Sequence, residues 1–197
     1  SQTNALRATW EYFFAGARGE EVDPSGMQHV LYATPRGRTR LDIQDYAGQR
    51  LTTSSTYDGL DRLTSTALPE GGSTTYTYDT AVNAWANNVA SVVRNPKPGA
   101  SPPPSLGTST TYDPNFNKPL TVTDPLNNIT RLGYDLGDLI SLTDPLGRVF
   151  KRYTDSLGRL TVTTDPLGNR TLYAYDAFDR LLQTTDARGQ RTQYGYD

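Results

Sequence analysis

The chain has 197 residues, a formal net charge of −2 and no cysteine. It therefore has no disulfide framework and no cysteine-ligated zinc, and without a basic block nucleic acid is not an expected partner. No run of about 18 apolar residues is present, so no helix of this sequence spans a bilayer.

Taken in chain order, the first ten residues lack a basic stretch followed by an apolar one, so no secretory signal is visible. Residues 5–17 can be read as a short helix carrying Trp10, Phe13 and Phe14 on one face, or as a degenerate strand pair. The strand reading is preferred. Residues 1–45 are thus expected to be a degenerate N-terminal repeat or packing segment, with a weak unit near Thr34-Pro35-Arg36-Gly37. His29 is the only histidine, so a Ser-His-Asp or Cys-His nucleophilic system would have to use it. Nothing around Gln28-His29-Val30 suggests that role, and no catalytic residue is assigned.

From Tyr46 to Asp197 the chain is repetitive. The anchoring aspartates Asp58, Asp79, Asp113, Asp135, Asp155, Asp176 and Asp197 stand 21, 34, 22, 20, 21 and 21 residues apart. A fixed period in this range marks an array of supersecondary units, none able to bury its own face. The long interval coincides with residues 94–109, a proline-rich stretch expected to be an exposed loop inserted at a turn. Just before it, residues 81–88, with Trp85, are expected to pack as a short irregular piece.

The clearest unit, residues 155–176, holds two turn signals. In Asp165-Pro166-Leu167-Gly168, Asp bonds the local backbone, Pro presets φ and Gly accepts φ > 0, the order of a type I turn followed by a left-handed residue. The same order recurs at Asp144-Pro145-Leu146-Gly147, at Asp124-Pro125-Leu126-Asn127 and, decayed, at Asp186-Ala187-Arg188-Gly189. A second turn begins at Asp155 (with Gly158 fourth), and again at Asp176 and Asp58. Between turns lie six or seven residues rich in Thr, Val, Leu and Tyr, ordinary strand lengths. Each unit reads as two antiparallel strands. Alternation puts Thr171, Tyr173 and Tyr175 on one face and Leu172 and Ala174 on the other. Tyr57, Tyr76, Tyr78, Tyr112, Tyr134, Tyr194 and Tyr196 belong to the same aromatic pattern, expected to stack from unit to unit. Asp-rich turns at a fixed period can bind calcium, but the Gly-Gly-x-Gly-x-Asp text of calcium-binding β-repeats is absent. No metal and no cofactor is expected.

The residues Asp155-Ser156-Leu157-Gly158-Arg159-Leu160 and Tyr173-Ala174-Tyr175-Asp176-Ala177-Phe178-Asp179-Arg180-Leu181 resemble the RHS/YD-repeat family, over residues 46–197. The resemblance implies an all-β fold of repeated antiparallel hairpins in an extended, curved or spiralling sheet. It further implies a non-catalytic shell segment enclosing a C-terminal toxin or effector domain before delivery out of a bacterial cell. The partners it implies are the rest of the shell, the enclosed domain, and secretion machinery (of type VI, for some members) or a chaperone. In bacterial members the shell ends in an Asp-Pro-x-Gly-Leu motif tied to self-cleavage. Here Gly147 is followed by Arg148 and Gly168 by Asn169, so Asp144 and Asp165 receive no cleavage role. Teneurin-like adhesion, or carbohydrate binding on exposed Tyr and Arg, is the alternative. By strand spacing each unit adds roughly 10 Å of sheet, so the chain would form an arc of a vessel and not a closed one.

Overall fold

The computed structural model describes residues 10–80, 87–100 and 105–197. The described residues contain strands and turns and no helix. The fold class is all-β, built from repeated antiparallel hairpins. The expectations for residues 5–9 and 81–86, Trp85 included, lie outside the described residues; Glu11–Ala15, in the region where helix and strand competed, is a strand.

The chain divides into two compact units, one within Ser1–Tyr78 and Val89–Gly107, the other within Asp79–Asn88 and Thr108–Asp197. The first contains β1 (Glu11–Ala15), β2 (Arg18–Val22), β3 (Gln28–Ala33), β4 (Thr39–Gln44), β5 (Leu51–Tyr57), β6 (Leu63–Ala67), β7 (Ser73–Tyr78) and β8 (Val89–Asn95). Each pairs with the next, antiparallel throughout. The proline-rich text separates β8 from β9: strand structure runs to Asn95 and resumes at Leu106.

The second unit takes most of β9 (Leu106–Tyr112), then β10 (Pro119–Thr123), β11 (Ile129–Asp135), β12 (Asp138–Thr143), β13 (Val149–Thr154), β14 (Leu160–Thr164), β15 (Arg170–Tyr175), β16 (Leu181–Thr185) and β17 (Arg191–Gln193). These too pair consecutively. Short runs of Thr, Val and Tyr between tight turns favour this meander, because each branched or aromatic side chain packs on its cross-strand neighbour and needs no second layer.

Burial is sparse. Among the described residues only Val30 and Ile43 are buried apolar side chains, and they face each other across β3 and β4. Among its described residues the second unit has no buried residue.

Two kinds of hairpin alternate. Pairs closed by turns starting at Asp23, Leu68, Asp124, Asp144, Asp165 and Asp186 keep a regular register. Seven other pairs carry a register shift: β3–β4, β5–β6, β7–β8, β9–β10, β11–β12, β13–β14 and β15–β16. In six of these the shift lies at the first strand's last residue or two; in β9–β10 it lies at the start of β10, beside the same turn. Six of these first strands end in Tyr followed by Asp or run out beside such a turn; β3 ends instead at Ala33-Thr34. Bulges therefore recur at one kind of turn and not at the other.

Candidate functional site

The candidate site is the repeated turn and the side chains that grip it. At Asp165 the backbone N–H of Gly168 donates to the Asp165 carbonyl at 3.0 Å, and the Asp165 N–H donates to the Asn169 carbonyl at 3.0 Å. The carboxylate closes the loop: Oδ1 accepts from Leu167 N and Asn169 N at 2.9 and 2.8 Å, and Oδ2 from Asn169 Nδ2 at 2.8 Å. Asp124 makes the same three bonds with Leu126 and Asn128. Asp144 makes them with Leu146 and Arg148, whose Nε reaches Oδ2 at 2.6 Å. Pro125, Pro145 and Pro166 occupy the exposed second positions. Gly147, Gly158 and Gly168 take φ of 77°, 79° and 85°, and Asp61, Asn127 and Asp179 take the same fourth position at 66°, 64° and 63°. A short polar side chain tolerates that region better than other non-glycine residues.

At the Tyr-Asp turns the grip extends to the next unit. Asp58, Asp155 and Asp176 each accept from the backbone N–H and from Nε of the arginine four residues on, Arg62, Arg159 and Arg180. Each arginine then lies over a tyrosine sixteen positions later. The guanidinium carbon is 4.3 Å from the ring centre in Arg62–Tyr78, 5.2 Å in Arg159–Tyr175 and 4.7 Å in Arg180–Tyr196. Those tyrosines donate their hydroxyls back to the carbonyl that follows the arginine: Tyr78 to Leu63 at 2.9 Å, Tyr175 to Leu160 at 2.9 Å, Tyr196 to Leu181 at 2.8 Å. Tyr57 reaches Thr39 in the same way at 2.8 Å. Arg159 also donates to Asp179 at 2.6 Å, and Arg38 to Asp61 at 2.8 Å, linking each turn to the next one on the same edge.

The remaining tyrosines are less connected. Tyr173 stands opposite Thr184, its hydroxyl 3.5 Å from Thr163 Oγ1. Tyr76 faces Val92, and Tyr194 is exposed. Partial burial pushes the phenols of Tyr112 and Tyr134 up from their ordinary value.

The gripped carboxylates sit below the usual range. For Asp58 and Asp176 the largest cause is the backbone N–H of Arg62 and Arg180; for Asp124 and Asp165 it is the side-chain amide of Asn128 and Asn169. At Asp144 and Asp155 partial desolvation is the largest influence and pushes upward. Hydrogen bonds from Arg148 and Arg159, with those from Leu146 and Leu157, together outweigh it. Hydrogen bonds to the charged form favour it, so these are acids built to stay ionised, unlike a proton donor poised near neutrality. Among the described residues no cluster of three or more His, Asp or Glu is arranged to hold a metal ion.

The sequence matches the RHS repeat family over residues 57–94, 134–170, 155–191 and 175–197, together just over half of the chain. The chain belongs to the RHS repeat family. No curated protein matches it significantly. Similar solved structures include a crystal structure of TcdB2-TccC3 without its hypervariable C-terminal region, at 13% identity and a TM-score of 0.47. Others are TcdB2-TccC3-Cdc42, at 12% and 0.45, and the Photorhabdus luminescens Tc holotoxin pore with a TccC3 mutation, at 13% and 0.40. Each covers 95% of this chain, and the chain spans 16% of each of theirs.

The RHS match begins at Tyr57, yet the same turn is present earlier. Asp23-Pro24-Ser25-Gly26 carries the backbone part of the grip, with Oδ1 accepting from Ser25 N and Met27 N at 2.8 and 2.9 Å; Met27 has no donor for Oδ2, and Ser25 Oγ adds a bond to Oδ1 at 2.6 Å. Sequence reasoning passed over it, although its residue order is that of the later copies. Thr34 holds an equivalent turn through one bond, Oγ1 accepting from Arg38 N at 3.1 Å. Arg62, Arg159 and Arg180 were missed as well. Their signal was a fixed place four residues after the aspartate and sixteen before the tyrosine.

Proposed function

We propose that this chain is a stretch of wall from a larger RHS-repeat shell, a non-catalytic part that encloses and protects a C-terminal toxin or effector domain before delivery out of a bacterial cell. The observation that carries this reading is the link between successive units, in which aspartate, arginine and tyrosine tie one repeat to the next at Asp58, Asp155 and Asp176. Such a link stiffens a sheet without a second layer behind it, which suits a wall with free space on one side. Bulges that recur at one kind of turn support the same reading, since each bends its strand and increases the local twist. His29 has Nε2 2.8 Å from Asp42 Oδ1 and Nδ1 3.7 Å from Glu21 Oε2, so two carboxylates flank it.

The test is limited proteolysis with mass spectrometry on the parent protein carried to its natural C-terminus. The expected result is a C-terminal fragment that survives while the repeats are intact and is degraded once repeats are deleted. A C-terminal domain digested freely beside intact repeats, or a parent ending within repeats, would sink the reading.

A further inference from the structure

Four of the five strand cations of the second unit, all but Arg152, share one face. Cross-strand pairing sets three rows on one face: Arg131, Thr143 and Val149; then Ser141, Lys151, Thr164 and Arg170; then Val162, Leu172, Thr185 and Arg191. Side chains directly opposite in an antiparallel pair point the same way. Each row thus holds a cation, with hydroxyls and aliphatic groups between. Tyr134 and Tyr173, by strand alternation, point to the other face.

All four cations are exposed, and none makes a salt bridge or a ring contact among the described residues. The face carries no acid in the interior of its strands. The aspartates lie at the turns and strand ends, where those of the turns are engaged by their own backbone. A trough of about 530 Å³ runs between Lys151, Tyr153, Thr164 and Arg170, and Asp165 at its rim is held by Asn169. Exposed Val149 and Leu172 flank the cations. Alternate strands of a sheet repeat at about 10 Å, roughly three residues of an extended chain.

We propose that this face is a binding surface for an acidic polypeptide segment that also carries apolar side chains. The unpaired cations meet its carboxylates and Val149 and Leu172 meet its aliphatic groups; charge complementarity of this kind sets specificity and association rate. A sulfated glycan would use the cations and leave the two aliphatic side chains uncovered, so the polypeptide is favoured. The inference goes beyond the shell reading and does not depend on it.

The experiment measures fluorescence anisotropy of a labelled peptide of alternating Glu and Leu on this 197-residue chain, with a Lys-Leu peptide and a heparin fragment as comparison probes. The Glu-Leu peptide is expected to bind, and more weakly as salt rises. Lys151→Glu with Arg170→Glu is expected to weaken binding about tenfold or more. Arg152→Glu, on the same strand but the opposite face, leaves it within about twofold. Lys151→Gln with Arg170→Gln repeats the loss without reversing charge, and an unchanged circular dichroism spectrum separates it from misfolding. The proposal is overturned if the Glu-Leu peptide does not bind, if Arg152→Glu weakens it equally, or if heparin alone binds. Failure of cargo protection in the parent, with peptide binding intact, would remove the shell reading and leave this one standing.

Discussion

The two units share one hairpin alphabet but hold it together differently. The first contains the two buried apolar side chains, Val30 and Ile43, and mixes acids into its strands at Glu20, Glu21 and Asp42. The second buries nothing among its described residues and keeps its acids at turns and strand ends, where Asp124, Asp144, Asp155, Asp165 and Asp176 are gripped by the residues that follow them. The difference teaches that an open sheet can rest on many small local terms in place of a core. A net hydrogen bond contributes about 0.5–1.5 kcal/mol and a cross-strand pair about 0.2–1 kcal/mol, so repetition has to supply the sum.

The sharpest way to break this contrast is to remove a buried side chain from one unit and its half-buried counterpart from the other. Val30→Ala is expected to destabilise by about 1.5–3 kcal/mol in urea unfolding, and Val162→Ala by about half of that or less. Equal losses would mean that the second unit also depends on apolar burial. Next in size is Gly168→Val, which forces a branched residue to φ 85° and costs about 1–2 kcal/mol, while Gly195→Ala, open on all sides, changes little. Tyr175→Phe deletes the hydroxyl that spans a unit and should cost about 1 kcal/mol, read as faster hydrogen exchange in β14 and β15. A loss confined to residue 175 itself would show that the inter-unit link contributes nothing.

Acid sharpens the contrast last. The gripped aspartates are lowered on folding, so their contribution is fully present above the unfolded value of about 3.9 and is lost as pH falls through the folded values. Five such groups lie in the second unit, against Asp23 and Asp58 in the first. Hydrogen exchange followed below about pH 4 should therefore show the second unit losing protection before the first. The reverse order would argue that the grip is incidental.

Much of the fold was legible. Period, turn residues and the Thr-Tyr-Val runs between them point to an all-β array because each is a local preference, written within about 21 residues. The candidate site was legible only as far as the backbone. Asp165 announces a turn, but nothing adjacent to it announces that Asn169 will hold its outer oxygen, or that at Asp155 an arginine will do so and then reach Tyr175. The early copy at Asp23 escaped notice because Tyr32, in the strand that follows it, is succeeded by Ala33-Thr34 and not by the aspartate that makes later copies conspicuous.

The sequence by itself determined which residues turn and which extend, since φ preference and side-chain branching act within a few bonds. Tertiary structure decided the rest: where bulges fall, which face carries Tyr173 and which carries Lys151 and Arg170, and which arginine lies over which ring. Those outcomes depend on register between strands, and register is set only when the strands meet.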